Sequence, residues 1–392
     1  MRLLFVQGGS RIKINSKNEL FVDGNFNNSV FNDYYKLADE VTFLLRKDAK
    51  NYENEFLELQ FTKLDSKFNF ELLPDFYRNI KARLNLIEIK KAEKKISQLV
   101  KKHDKVIIRS VGNFYTNTVL KYAKKYDKPY LIEVTGFAFE GLWYHSIKGK
   151  ILAIPREIHL KKCLKNAPYA VYVTNEALQK RYPCKNITLG CSDVRLVKTD
   201  NDVLENRIKK INKNNGKIIL GTSAFLDVKW KGQRFVIYAL AKLKKQGYNN
   251  FEYHVIGAGT GNRLRSLAKK LGVEDRVKII GSLPHNEVFN WLDSIDIYIQ
   301  SSFQEGLCRS IVEAMSRACP VICSDVGGNY ELVDDEFLFK KADTKELINC
   351  LLKMDKSNAK KQAEINFYRS LNYEDQKLKI KRDEFYKNFI RN

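Results

Sequence analysis

No apolar stretch in the 392-residue chain approaches the roughly 18 to 20 residues of a membrane-spanning helix, and the longest apolar runs are strand-length. The opening Met1 to Gly9 segment reads as a first β-strand and turn, not as a signal peptide, so a cytoplasmic protein is expected. Paired Cys-x-x-Cys spacing is missing too. The seven cysteines, at 163, 184, 191, 308, 319, 323 and 350, form an odd and irregular set, which argues against a disulfide framework or zinc site and fits reduced thiols. Cys319 and Cys323 stand four apart in a strand-like run and are expected in the core. No internal repeat is evident. Acidic residues are in deficit, with 46 Asp and Glu against 69 Lys and Arg and a net charge of +23. The first 195 residues hold 35 of the basic residues against 21 acidic ones, a balance of +14. Nucleic acid, an anionic membrane surface or an acidic diphosphate ligand would each answer such a charge. The absence of RNP, KH, zinc-finger and helix-turn-helix signatures makes nucleic acid the weakest of the three, and no nucleic-acid partner is expected.

What is present is an alternation of short strands and helices. From residue 217, strands are expected at Lys217 to Gly221, Phe251 to Ile256, Val277 to Ile280, Ile295 to Ile299 and Pro320 to Cys323. Helices are expected between them at Gln233 to Lys245, Asn262 to Leu271, Asn286 to Asp293 and Ser310 to Arg317. Strands separated by helices imply right-handed crossovers and a parallel sheet, with ligands at the carboxyl ends of the strands. The first half repeats the signal at Leu3 to Val6, Val41 to Leu45, Val106 to Ile108, Tyr130 to Val134 and Ala170 to Val173. The expected fold is α/β, with two Rossmann-like parallel-sheet domains. The domains are placed at 1–195 and 196–370, with a hinge near 193–215, where the apolar period fades, and a C-terminal helix at 371–392.

The run from Ser301 to Met315 (Ser301-Ser302-Phe303-Gln304-Glu305-Gly306-Leu307-Cys308-Arg309-Ser310-Ile311-Val312-Glu313-Ala314-Met315) carries the most information. An apolar strand feeds a polar loop, and a helix starts near Cys308. Glu305 is thereby set beside unpaired first-turn N–H groups, which together with the helix dipole seat a phosphate or a sugar hydroxyl. Glu313, one to two turns into the helix, reaches another part of the same ligand. Two carboxylates also suit a glycosidase, but that chemistry needs them within about 5 to 9.5 Å, and eight helical residues span about 12 Å.

This run resembles the E-x7-E motif of the family-4 retaining glycosyltransferases, enzymes that have the GT-B fold, two domains facing a central cleft, and use nucleotide-sugar donors. The resemblance extends in order through Lys231-Gly232, Val255-Ile256-Gly257-Ala258-Gly259, Leu267 to Val277, Gly281-Ser282-Leu283-Pro284-His285 and Glu331-Leu332-Val333, covering roughly residues 217–340. In the first half, Glu133-Val134-Thr135-Gly136, Leu142 to Lys150, Tyr172 to Pro183 and Gly190 to Val194 resemble the subgroup that builds bacterial surface polysaccharides. The resemblance implies that Glu305 contacts sugar hydroxyls near the anomeric centre and that Glu313 accepts from the ribose. Gly306, Leu307 and Cys308 would offer backbone N–H groups. The donor would further be bound by Gly257, Gly281, Ser282 and Leu283, and by the Gly8-Gly9 loop. The family's diphosphate-binding pair is an Arg and the Lys of a Lys-Gly step. Lys231 matches the lysine, but Thr222 to Leu226 contains no arginine, which leaves Lys229 or Lys231 to carry that work. His145, after Trp143 and Tyr144, is expected in a cleft-side loop with a catalytic or acceptor-orienting role. No Asp-x-Asp stands at a strand end, so a metal-independent reaction is expected, without cofactor.

The resemblance further implies a hexosyltransferase-type enzyme of capsule, lipopolysaccharide or other polysaccharide biosynthesis. A UDP-linked sugar would be the donor and a glycan or polyprenyl-linked molecule the acceptor, and the C-terminal helix would cross back onto the first lobe. Lys81 to Lys105 reads as one helix with Leu84, Leu86, Ile87, Ile89, Ile96, Leu99 and Val100 on its apolar side and lysines elsewhere. Such a helix suits either packing on the first sheet or peripheral binding to the inner face of the cell membrane. A nucleotide-sugar epimerase, a phosphorylase and a basic nucleic-acid-binding protein are the alternatives.

Overall fold

The computed structural model describes the chain except for residues 23–25, 51, 197–199, 201 and 215. Among the described residues the strands form two sheets. The first has a parallel body in the order Asn69–Pro74, Glu40–Lys47, Arg2–Ile14, Lys105–Arg109, Tyr130–Val134, Tyr169–Tyr172 and Ile187–Gly190. The far end of Arg2–Ile14 also pairs antiparallel with Leu20–Val22, which in turn pairs with Thr62–Lys63. The second sheet is parallel throughout, in the order Val277–Gly281, Phe251–Ile256, Ile218–Ser223, Ile297–Gln300, Val321–Ser324 and Leu338–Phe339. In both sheets the strand order turns back at the first strand. Each therefore has a crevice at the carboxyl ends beside that strand, where α/β sheets collect ligands. The fold is GT-B, as the motif resemblance implies.

Burial on both faces explains the near-continuous apolar strands: Val106 to Ile108, Leu131, Ile132, Ile299, Val321 and Ile322 are fully buried. Several helices between the strands begin at side-chain caps, among them those at Asn113, Ser146 and Asp343. Among the described residues, no helix is long and apolar enough to cross a membrane. All seven cysteines are free thiols, with Cys319 and Cys323 in the core.

Three expectations change. Gly8 and Gly9 do not form a turn: they lie inside the strand Arg2–Ile14, where the pairing register shifts between Val6 and Arg11. A glycine pair within a strand accommodates such an irregularity without ending the strand. The segment 81–105 is two helices, Ile80–Leu84 and Leu86–Lys102, because Asn85 leaves helical geometry and caps the second through Glu88 N–H. On these helices Ala92, Ile96 and Val100 are buried, whereas Leu84, Leu86 and Ile87 are exposed. The 193–215 segment is not all linker. Its residues 197–199, 201 and 215 lie outside the described set, but Asp202–Lys213 is a helix. The buried Arg207 ties that helix to the second lobe by donating to the carbonyls of Leu292, Ile295 and Arg317.

The helix Asp375–Arg391 packs on the first lobe. Phe385, Tyr386 and Phe389 join the aromatic core around Phe5, Phe31 and Phe43, and Lys105 Nζ donates to the Phe389 carbonyl at 2.8 Å. The two chain crossings between lobes run side by side, with Leu196 bridged to Glu374 and the Asp375 N–H donating to the Leu196 carbonyl at 2.9 Å. Across the cleft, Glu331 of the second lobe accepts from the N–H groups of Asn175, Glu176 and Ala177 at 2.7, 3.1 and 2.7 Å. Charge-assisted bonds of this kind contribute about 1.5 to 3 kcal/mol when sheltered. For this partly exposed clasp the lower end applies, and Glu331→Ala should shift the lobe equilibrium towards open by about tenfold. Small-angle scattering of the free protein should show a larger radius of gyration for the variant, and superimposable profiles would contradict the clasp.

Candidate active site

A cavity of about 740 Å³ lies between the lobes. The strand ends of the second lobe contribute Ser223, Ala224, Gly257, Ala258, Ser282 and Leu283, and the loop and helix that follow Ile297–Gln300 contribute Glu305, Leu307, Cys308, Arg309, Ser310 and Glu313. Lys231 reaches in from a short 3-10 turn, Lys229–Lys231. Of the residues singled out in the sequence, Glu305, Lys231, Glu313, Gly257, Ser282, Leu283, Leu307 and Cys308 are thus brought together.

The Lys231-Gly232 step has a steric cause. Gly232 has φ of +74°, and a Cβ on it would stand 1.8 Å from the Ser301 carbonyl oxygen, so only glycine lets the two loops meet. The Phe303 N–H donates to the Trp230 carbonyl at 2.7 Å beside it. With the loops locked, Lys231 Nζ lies 2.7 Å from Glu305 Oε1, which also accepts from Ser302 Oγ at 2.6 Å and Gln300 Nε2 at 3.2 Å. All three donors fall on Oε1, leaving Oε2 without a protein partner among the described residues. Burial works against the charge on Lys231, but the adjoining Glu305 carboxylate outweighs it and raises the ammonium above its ordinary pKa. The pair is ionic, fixed and within the cavity wall.

The helix Arg309–Ser316 starts at Cys308, which supplies no side-chain cap. Cys308, Arg309 and Ser310 at this start line the cavity, so the positive end of the helix dipole lies at its wall. Burial pushes the Cys308 thiol up to about 12, so it is not a nucleophile. Burial likewise raises the Glu313 carboxyl, against the lowering influence of His285 and Arg309. Gly306 approaches the opposite lobe: a Cβ on it would stand 2.5 Å from the Thr135 carbonyl oxygen. Gly281 precedes the lining residues without lining the cavity. Lys229 is exposed on its turn and does not line the cavity either.

Gly8, Gly9 and His145 are also absent from the lining. Gly8 packs against the Asn113 side chain. His145 follows the helix Ala138–Trp143, precedes the Ser146 cap, and is exposed with its ring 5.7 Å from that of Trp230.

The first-lobe wall is a polar network that sequence reasoning assigned no role. Glu133 accepts from Arg109 at 2.7 Å, Tyr34 at 2.8 Å and Tyr386 at 2.5 Å, and Arg109 also reaches Asp193 at 2.7 Å. Arg382 of the last helix donates to the Ser192 carbonyl at 2.6 Å. Burial disfavours the Asp193 carboxylate, but Arg109 and Arg309 outweigh it and hold its pKa below the usual range. One signal was present in the sequence: a lone glutamate in the otherwise apolar strand Tyr130–Val134.

A family model described as "Glycosyl transferases group 1" matches residues 204–368. "Protein CapJ" of Staphylococcus aureus is 34% identical over 355 residues, spanning 88% of this chain and 84% of that protein. Among solved structures, Anabaena HepE in complex with UDP and glucose superposes with a TM-score of 0.63 at 18% identity, covering 98% of each chain. The lipopolysaccharide outer core galactosyltransferase WaaB superposes with a TM-score of 0.67 at 16% identity, covering 98% of this chain and 99% of that one. With a cleft built around the Lys231–Glu305 pair and a relative matched over most of both lengths, the chain belongs to the group 1 glycosyltransferases.

Proposed function

We propose that the chain is a retaining, metal-independent glycosyltransferase of capsule, lipopolysaccharide or related polysaccharide assembly. It moves a sugar from a UDP-sugar to a glycan or polyprenyl-linked acceptor at the inner face of the cell membrane. The observation that carries this reading is the Lys231–Glu305 ion pair at the crevice of the second sheet, beside an open helix N-terminus. HepE with UDP and glucose supports the donor class, and WaaB the polysaccharide setting. Membership of a transferase family favours transfer over the epimerase and phosphorylase readings.

The chemistry follows from the wall. Departure of the nucleoside diphosphate places charge on its phosphate, which must be stabilised by preorganised donors. Lys231, the first-turn N–H groups and Arg309, which lines the same cavity, supply them. Arg309 takes the part of the arginine missing from Thr222 to Leu226. Glu305 presents Oε2 to the sugar hydroxyls while its other oxygen holds Lys231. Glu313 accepts from the ribose once ionised. The first-lobe wall of Thr135, Arg109 and Asp193 faces the acceptor.

Glu305→Gln should lower kcat by about a hundredfold or more, because it acts where the glycosidic bond stretches. Glu313→Gln should chiefly weaken UDP binding, by about tenfold to a hundredfold for one charge-assisted bond. Steady-state kinetics with calorimetric titration of UDP separate the two, and parental values for both variants would remove this loop from the donor site. Since burial raises the Glu313 pKa in the free protein, UDP affinity should fall on acidification, beginning above the ordinary glutamate value of about 4.3. In the Glu313→Gln variant that fall should disappear.

Turnover should survive EDTA, because the protein's own cations and N–H groups face the leaving phosphate. Loss of activity in EDTA with recovery on adding magnesium or manganese would contradict the metal-independent reaction.

A further inference from the structure

The helix Ile147–Lys165 is apolar on two opposite faces. One face, with Ala153, Leu160 and Leu164, packs into the core of the first lobe. The other carries Ile147, Ile151, Ile154 and Ile158 at helical spacing, exposed by 82, 74, 58 and 48%. Monomeric soluble proteins rarely leave so continuous an aliphatic ridge in water. The lysines Lys148 and Lys150 flank it, and exposed Lys161, Lys162 and Lys165 continue the same face along the later turns.

A second exposed aliphatic group repeats the pattern. Ile80, Leu84, Leu86 and Ile87, exposed by 65, 71, 66 and 69%, stand at the start of the helix Leu86–Lys102, and exposed Lys90, Lys91 and Lys94 follow them. Both helices pack on the same face of the first sheet: Ile96, Val100, Leu160 and Leu164 share a core with Val106, Ile108 and Ile132, while the alternate strand residues Ile107 and Leu131 belong to the core on the other face. As crossover helices they run against the strands, so both aliphatic ends lie at the edge where the strands end and the cleft opens. Tyr77 lies beside the Ile80 to Ile87 group: Arg83 stacks over its ring at 5.2 Å, and its hydroxyl accepts from Phe114 N–H at 2.8 Å. The ridge starts two residues after His145, whose ring meets Trp230 across the lobes.

We propose that this surface docks on a bilayer containing anionic lipid, with the isoleucine ridge and the Ile80 to Ile87 corner inserted among the headgroups and the lysines around them at phosphate level. An aliphatic tip within a basic collar matches an anionic interface in both polarity and charge. A soluble acidic partner would not require the aliphatic ridge. The inference deepens the membrane setting proposed above by naming its surface. It rests on that reading only for the acceptor: docked this way, the cleft mouth lies at the lipid surface, where a polyprenyl-linked acceptor would present its glycan.

The test is flotation of the full chain with vesicles of phosphatidylcholine alone or mixed with phosphatidylglycerol. The chain should float with the anionic vesicles and detach as salt rises. The double substitution Ile151→Asp with Ile154→Asp should lower the partition coefficient by about a hundredfold. Ile151→Ser with Ile154→Ser should lower it less, and Leu352→Asp, at an exposed position on the second lobe, should leave it unchanged. Calorimetric UDP binding on the same preparations reports the fold and the donor site separately, so a chain that floats but binds no UDP loses the transferase reading and keeps this one. The proposal is overturned if the parental chain fails to float with anionic vesicles or the double variants float as well as the parent. It is equally overturned if the parental chain sediments as a dimer that the double variants convert to monomer, since the ridge would then be an interface between two copies.

Discussion

One backbone contact sets the geometry of the donor side. With no side chain at Gly232, the turn after Ile218–Ser223 closes on the Ser301 carbonyl, and the two strand ends at the crevice of the second sheet become a single wall. Lys231 and Glu305 stand on the two sides of that contact, so their 2.7 Å separation is inherited from backbone packing and not from side-chain flexibility. Any larger residue at 232 would push the loops apart before it touched a ligand. Separating the partners of this sheltered pair would leave each charge without its counterion, which makes the wall and the pair one cooperative unit.

The second lobe was legible because its elements are locally consistent. The helix Gln233–Lys245 and the strand Phe251–Ile256 have the boundaries expected from their apolar periods and the Gly232 and Gly257 breaks. Tertiary information decided the rest. The helix Asp202–Lys213 is too polar to announce itself and is held by Arg207 bonding to the carbonyls of Leu292, Ile295 and Arg317, 85 to 110 residues away in sequence. Gly8 and Gly9 read as a turn because glycine permits one, but strand pairing on both sides carried the chain straight through them. The helix Ile147–Lys165 hid its exposed ridge because apolar residues on two faces cancel any one-sided pattern.

The two glutamates and the lysine that line the cavity were readable because they stand on one loop-helix junction and one Lys-Gly step. The facing wall was not. Arg109, Glu133, Asp193 and Tyr386 are separated by up to 277 residues in sequence and meet only through the order of the first sheet and the return of the last helix. His145, expected in a cleft-side loop because it follows Trp143 and Tyr144, is exposed beside Trp230 and does not line the cavity.

The return of the helix Asp375–Arg391 to the first lobe also bears on how the protein is made. Tyr386 and Phe389 are part of the core around Phe5 and Phe43, and Tyr386 completes the shell around buried Glu133. During synthesis the first lobe therefore emerges with a gap in its core and a carboxylate short of one donor, and it waits for the whole second lobe to pass before its own last helix arrives. The two lobes are adjacent in space but interleaved in time, and the second lobe must be synthesised before the first reaches its final stability.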